Sequence, residues 1–135
     1  MQFVNFRAGQ LLDYELVFNK RSEKYPGAGA ANIEPKSGAI TEGVLYELAV
    51  ADEILRMDPF EGYPLRYRRE IHALETVSGP VRAWVYIANR QFLGDNLKPA
   101  RWYLNHLLAG QEMLSETYFS RLCQVQCLVD SEIEI

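Results

Sequence analysis

The sequence predicts an α+β domain, with a small mixed, largely antiparallel β-sheet or barrel and helices on its flank. Runs rich in β-branched and aromatic residues fill most of the first two-thirds of the chain. Runs with apolar residues at helical spacing fill the last third. At 135 residues the chain is long enough to bury a core, so we predict one domain over residues 1–135.

Four strands are predicted from alternation and β-propensity: Asp13–Asn19, Ile40–Leu48, Tyr67–Leu74 and Val81–Ala88. Residues Lys20–Gly38 between the first two are polar and rich in glycine, proline and serine, which predicts a long loop of the kind that is functional or disordered. Gly43 predicts a bulge or a close approach within the second strand. Ser78–Pro80 predicts a hairpin turn between the last two strands.

Three helices are predicted: Val50–Arg56, Pro99–Leu108 and Ser115–Leu128. Pro99 suits a first helical turn and Gly110 a C-terminal cap. Ser115 suits an N-cap. The acidic tail Asp130–Ile135 is expected to fray. The element order is therefore strand, strand, helix, strand, strand, helix, helix.

The bulk composition limits the classes of function. The formal net charge of −4 disfavours nucleic acids and anionic membranes as partners, and the apolar runs are too short to cross a bilayer. Residues 1–10 lack the pattern of a signal peptide. Cys123 and Cys127 provide neither a disulfide framework nor a zinc-binding spacing. We therefore expect a cytoplasmic protein with reduced cysteines.

The segment Met57–Pro64 contains the strongest candidate for chemistry, because it places the carboxylate of Glu61 in a turn bounded by two prolines and a glycine. A carboxylate on a stiff turn that faces a pocket lined by tyrosines suits a general acid or base. The alternatives are a solvated surface carboxylate and a stop signal for the preceding helix. Asp58 lies three positions earlier, close enough for like-charge proximity to raise one pKa of the pair.

Other motifs favour structural roles. Gly27–Asn32 lacks the third glycine and the Lys-Ser/Thr ending of phosphate loops, so its functional alternative is a ligand wall formed by backbone amides. The charges of Arg66–Arg69 divide between two strand faces, which favours a solvated face over a nucleic-acid site. His72 and His106 lie on different predicted elements, without partners for a triad or a metal site.

Aromatic and leucine residues form an apolar stripe along Trp102–Leu108 that is typical of a core helix. The hydroxyls of Tyr103 and Tyr118 need polar partners when they are buried, so either can point into a polar cavity.

An ordered set of motifs spans nearly the whole chain, and no single one of them would suffice. The motifs are Tyr14–Lys20, Gly27–Pro35, Gly43–Leu48, Met57–Gly62, Tyr67–Arg69, Pro99–Tyr103, Gly110 and Tyr118. As an ensemble they resemble the γ-glutamylcyclotransferase-like family.

This resemblance implies a small mixed barrel that encloses a cavity, and release of 5-oxoproline from γ-glutamyl-amino acids, γ-glutamyl-amines or related amides. Glu61 matches the position of the family's catalytic glutamate, a proton shuttle without metal or cofactor. Tyr67, Tyr103, Tyr118 and Gly29 are the expected substrate-binding residues. The expected partner is a small γ-glutamyl compound.

The sequence departs from the family where a first strand would end in Tyr-Gly-Ser-Asn, because the chain contains no such motif. Ala100 also stands where the family commonly has serine. Either Met1 is an internal start in a longer protein, or this chain has lost the strand. Loss of the strand would remove oriented donors from the site, and it would expose a sheet edge, which favours pairing into a homo-oligomer. The alternative function is therefore a non-catalytic binding or interaction module of the same fold.

Overall fold

A computed structural model describes residues 3–128 and contains the predicted order of seven main elements. They are strands β1 (Phe3–Arg21) and β2 (Gly29–Leu48), helix α1 (Ile54–Glu61), strands β3 (Tyr67–Thr76) and β4 (Gly79–Ala88), and helices α2 (Arg101–Leu108) and α3 (Glu116–Cys123). Short 3₁₀ turns occupy Ala51–Glu53, Arg90–Phe92 and Gln111–Met113. The predicted α+β class is confirmed.

The four strands form one antiparallel sheet in the order β2-β1-β3-β4. β3 and β4 pair along their full lengths, whereas β1 and β3 meet only where Gln10 pairs with Glu75. The sheet curls, because the backbone amide of Ala88 in β4 donates to Oδ1 of Asn32 in β2 at 2.8 Å. Its concave side holds the core, which is formed by Leu11, Ile33 and Ile87 with Tyr14, Leu74 and Val85 packed against them.

The predicted loop Lys20–Gly38 is wrong, because most of it belongs to β1 and β2. Only residues 22–28 connect these two strands. The turn-forming residues that suggested a loop mark an irregularity in the ribbon, where Leu12 pairs with Ile40 but Tyr14 pairs with Pro35. Proline is tolerated there since β2 is an edge strand. A long paired ribbon thus replaces the expected loop.

The close backbone approach predicted at one glycine of β2 occurs at another glycine of the same strand. Gly43 pairs in register with Gly9 and has open space around it, so the predicted bulge or close approach is wrong. The close approach occurs at Gly29, where an added Cβ would overlap the carbonyl oxygen of Phe18 and lie 2.9 Å from Cβ of Leu97.

The predicted helix Val50–Arg56 and turn Met57–Pro64 are displaced, because α1 continues through Glu61. Pro59 lies inside the helix, since its fixed φ is compatible with helical backbone. Gly62 ends the helix in the left-handed conformation at φ 67°, and its amide donates to the carbonyl of Pro59 at 3.2 Å. Glu61 is therefore the last helical residue rather than a turn residue.

The C-terminal helices are shorter than predicted. α2 starts after Ala100, so Pro99 lies outside it, and Ala109 rather than Gly110 is the C-cap. Ser115 is confirmed as the N-cap of α3, since its hydroxyl accepts from the Tyr118 amide at 3.2 Å. α3 ends at Cys123, which places Cys127 outside the helix. The predicted frayed tail Asp130–Ile135 lies outside the described residues.

Within residues 3–128, no helix has the length and apolar character needed to span a bilayer. In the same part of the chain, no three His, Cys, Asp or Glu side chains are grouped so that they could hold a metal ion. Both cysteines are free thiols.

We expect Gly29→Ala to lower the free energy of unfolding by about 1–3 kcal/mol, because its methyl group would collide with backbone atoms of β1 that cannot rotate away. Gly43→Ala is the matched control, with no atom near the new methyl group and an expected change within about 0.5 kcal/mol. Urea unfolding of both variants measures the difference. Equal stabilities would show that β1 and β2 do not approach as described at Gly29.

Candidate active site

Helix α1 is attached to the β3–β4 hairpin through the buried carboxylate of Asp58. Arg69 on β3 donates from Nε to Oδ1 at 2.9 Å and from Nη2 to Oδ2 at 3.1 Å. The hydroxyl of Tyr86 on β4 donates to Oδ1 at 2.6 Å. Asp58 is the buried residue of α1, so a polar contact rather than an apolar face holds this helix on the sheet.

The guanidinium of Arg69 is enclosed by aromatic rings. Its Cζ lies 4.3 Å from the ring centroid of Trp84 and 4.7 Å from that of Tyr63. Such stacking suits a planar, weakly hydrated cation. The prediction of a solvated strand face is therefore wrong for Arg69, whose side chain is only 12% exposed.

The Asp58 carboxyl remains ionised in spite of its burial. Burial raises its pKa, but the hydrogen bonds from Arg69 and Tyr86 outweigh this effect and hold the pKa below its usual value. Because the pair is desolvated and bidentate, it fixes the orientation of α1 as well as its position.

Glu61 follows Asp58 by three residues, on the last turn of the helix that Asp58 anchors. It is half-buried, and burial raises the pKa of its carboxyl. Burial, and not the like charge of Asp58 that the sequence suggested, is the cause of this shift. Within residues 3–128, the Glu61 carboxylate accepts no hydrogen bond, which leaves both oxygens available to a ligand.

The charge of Glu61 acts on three tyrosine hydroxyls. Burial is the main cause of the raised pKa of each, and the charge of Glu61 adds to the shift. They belong to Tyr67 on β3, Tyr86 on β4 and Tyr103 on α2. Tyrosines from three elements are therefore influenced electrostatically by one carboxylate on α1.

The peptide group of Ala31 on β2 determines whether each of two of these hydroxyls remains available as a hydrogen-bond donor or as an acceptor. Tyr67 donates its hydroxyl proton to the Ala31 carbonyl at 2.9 Å. The Ala31 amide donates to the hydroxyl oxygen of Tyr103 at 2.9 Å. Tyr67 therefore keeps acceptor capacity, whereas Tyr103 keeps its proton to donate.

The other two predicted binding residues are not brought to this cluster. Gly29 is buried, and its amide donates to the Lys98 carbonyl at 2.9 Å, so that amide is already satisfied. Tyr118 lies on α3, where the charges of Glu42 and Arg121 act on it. It lines a cavity of about 520 Å³ whose other walls come from the β1–β2 ribbon and α3.

The histidines have structural surroundings. His72 lies 2.9 Å from Glu70 through its Nε2 and stacks edge-on against Tyr14 at 5.2 Å between ring centroids. His106 is exposed, beside the ring of Trp102. This agrees with the structural or exposed role expected for both.

The sequence reasoning did not identify Tyr86 as part of the site and assigned no anchor to Glu61. The available signal was alternation along β4, which places Trp84 and Tyr86 on the same face as Arg69 of β3. This alternation indicates a functional site only once α1 is known to pack on that face of the sheet.

We expect Asp58→Ala to lower the free energy of unfolding by about 3–5 kcal/mol, because it leaves the charge of Arg69 desolvated and unpaired. Asp52→Ala is the control, since it removes an exposed carboxylate just before α1, with an expected cost below about 1 kcal/mol. Thermal and urea unfolding compare the two. A small loss for Asp58→Ala would mean that the ion pair does not hold α1.

Glu61→Gln should be more stable than the wild-type chain at neutral pH. The folded-state pKa of Glu61 is raised, so the folded state binds more protons than the unfolded state, and wild-type stability falls as pH rises from the ordinary glutamate pKa to the raised one. Below about pH 4 the carboxyl is protonated in both states and the advantage disappears. Unfolding measured between pH 4 and 7 tests this. An advantage that does not change with pH would exclude burial of the charge as its cause.

Comparisons with known proteins identify the family and the fold. Residues 1–105 match the family model described as γ-glutamyl cyclotransferase, AIG2-like. No curated protein sequence matches the chain.

Solved structures share the fold at low sequence identity. One described as a γ-glutamyl cyclotransferase superposes with a TM-score of 0.79 at 19% identity, covering 94% of this chain and 76% of its own. The human protein loc79017, called uncharacterized, gives the same values. YkqA from Bacillus subtilis gives a TM-score of 0.69 at 18% identity, over 90% of this chain and 45% of its own.

These structural likenesses establish the fold, and the family model extends over most of the 135 residues. The chain belongs to the γ-glutamyl cyclotransferase (AIG2-like) family.

Proposed function

We propose that the protein releases 5-oxoproline from a γ-glutamyl-amino acid or γ-glutamyl-amine. The observation that carries the proposal is the Glu61 carboxylate, which is half-buried, has a raised pKa and accepts no hydrogen bond from the described residues. A carboxyl group with a raised pKa exchanges protons readily near neutral pH. Membership of the γ-glutamyl cyclotransferase family gives the reaction class.

In the proposed reaction, Glu61 takes a proton from the α-ammonium group of the γ-glutamyl moiety. The freed amine attacks its own γ-carbonyl carbon, so a new carbon–nitrogen bond closes the five-membered ring. Glu61 then returns a proton to the leaving nitrogen as the original amide bond breaks. The second proton lost by the ring nitrogen ends on the departing amine, and 5-oxoproline and a free amine result.

One carboxylate suffices for this chemistry because nucleophile and electrophile belong to the same molecule. Ring closure is intramolecular, so the protein need only hold the chain of the γ-glutamyl group in a folded conformation. No bond change in the reaction requires a redox partner, and the proposal includes no metal or cofactor.

Tyr67 and Tyr103 supply complementary groups in this proposal. The Tyr67 hydroxyl already donates its hydrogen bond to the Ala31 carbonyl, so its oxygen accepts a hydrogen bond from the substrate ammonium. Since the Ala31 amide donates to Tyr103, that hydroxyl donates its own proton to the γ-carbonyl oxygen, where negative charge develops. The binding roles predicted for Gly29 and Tyr118 stay predictions: the Gly29 amide donates to the Lys98 carbonyl, and the charges of Glu42 and Arg121 act on Tyr118.

Glu61→Gln should lower kcat for 5-oxoproline release by about 10²–10⁴-fold, because an amide cannot shuttle the proton. Glu47→Gln, a change of an exposed carboxylate on β2, is the matched control and should leave the rate unchanged. The assay measures 5-oxoproline from a panel of γ-glutamyl-amino acids and γ-glutamyl-amines, with circular dichroism to verify folding.

Retained activity in the folded Glu61→Gln variant would overturn the assignment of Glu61. A folded wild-type chain that binds these compounds without turnover would favour the alternative, a non-catalytic binding member of the same family.

A further inference from the structure

Lys20 is a buried cation that the proposed reaction does not use. It lies near the end of β1, between Ala30 of β2 on one side and Leu93 on the other. Its exposure is only 7%. A lysine is rarely buried to this extent without a partner, because removing an ammonium group from water is costly.

The ammonium group of Lys20 has no anionic or hydrogen-bonding partner in the described part of the chain. No hydrogen bond or ion pair involves its Nζ, and the nearest aromatic ring, that of Phe92, has its centroid 6.0 Å away. Among the described residues, every fully inaccessible side-chain nitrogen or oxygen has a hydrogen-bond partner, so Lys20 Nζ, which has none, keeps some contact with solvent. A ligand can approach the ammonium from that side.

The charges around Lys20 are mainly positive. Arg21 and Arg66 lie close enough to affect it, and Glu23 is the one acid among the charges that act on it. Glu23 is already engaged, since Arg66 contacts its two carboxylate oxygens at 3.1 and 2.7 Å. Burial and these like charges lower the pKa of Lys20, and they outweigh the negative charge of Glu23, which raises it. The cluster of three cations and one acid therefore carries an excess of positive charge.

This cluster borders the Glu61 site. Lys20 pairs with Ala30, which precedes Ala31, whose peptide group binds the hydroxyls of Tyr67 and Tyr103. On the other side, Arg66 lies against Gly62, the residue that follows Glu61: the Arg66 amide donates to the Gly62 carbonyl at 2.8 Å, and its side chain covers the Gly62 Cα. Ala30 and Ala31 on one side, and Arg66 and Gly62 on the other, therefore connect the surroundings of Lys20 to those of Glu61.

We infer that Lys20 forms a carboxylate-binding subsite, supported by the charge of Arg66, for one carboxylate of the γ-glutamyl substrate. The inference rests on the proposed function and adds the residue that recognises the substrate's negative charge. Two carboxylates share this chemistry: the α-carboxylate of the γ-glutamyl moiety, and the carboxylate of the departing amino acid.

Two matched substrates distinguish these sources. γ-Glutamyl-alanine has both carboxylates, whereas γ-glutamyl-ethylamine has the same bonds around the amide but only the α-carboxylate. We expect Lys20→Met to raise KM for γ-glutamyl-alanine by about 10–100-fold, which corresponds to loss of a charge-assisted hydrogen bond. An equal loss for γ-glutamyl-ethylamine assigns the α-carboxylate to Lys20, and an unchanged KM for it assigns the carboxylate of the leaving group.

Three variants separate loss of substrate recognition from loss of structure. Lys20→Met should fold, because it removes an unpaired buried charge. Lys20→Arg should recover part of the affinity, since it retains a cation. Lys24→Met, which removes an exposed lysine four residues away, should change nothing. Unchanged KM for both substrates in folded Lys20→Met would overturn the subsite.

Calorimetric titration of γ-glutamyl-alanine tests the subsite independently of turnover, in the Glu61→Gln background and in the wild-type chain if that chain proves inactive. Binding that weakens at least 10-fold when Lys20→Met is added supports the subsite even where 5-oxoproline release fails. Equal binding with and without Lys20, or no binding at millimolar concentrations, would overturn it.

Discussion

The ion pair between Asp58 and Arg69 is the interaction on which the candidate site depends. Helix α1 has eight residues, too few to be stable in isolation, and its buried side chain is a carboxylate. Two hydrogen bonds from Arg69 and one from Tyr86 hold that carboxylate on the β3–β4 hairpin. Because the pair is enclosed by Trp84 and Tyr63, water does not compete for it, and Glu61 one turn later has a defined place.

Backbone groups of the sheet orient the polar side chains of the candidate site. β2 contributes no reactive side chain; instead, the peptide of Ala31 orients the hydroxyls of Tyr67 and Tyr103 in opposite senses. Asn32, the next residue, joins the same strand to Asn19 and to the amide of Ala88. The segment that sequence composition assigned to a loop is thus the ordered strand that prepares hydrogen-bonding groups around Glu61 before any ligand arrives.

Charge divides the site into two regions. In the Glu61 region, burial raises the pKa of the carboxyl, and the charge of Glu61 in turn contributes to the raised pKa values of Tyr67 and Tyr103. The Lys20 region has an excess of cations, in which Glu23 is already engaged by Arg66. The proposed substrate, a zwitterionic γ-glutamyl compound, carries both an ammonium and a carboxylate, and our proposal assigns the ammonium to the Glu61 region and a carboxylate to the Lys20 region.

The sequence by itself determined the element order, the α+β class, the family and Glu61 as the candidate carboxylate, because alternation, helical spacing and ordered motifs are local properties. Hairpin β3–β4 and the Ser115 cap followed from short-range rules for the same reason. Only the tertiary structure decided that the Gly- and Pro-containing segment 29–38 pairs as a strand, since pairing with β1 overrides local propensity. It also decided the burial of Arg69 and Lys20 and the partners of Asp58, because burial and long-range pairing depend on which elements pack together.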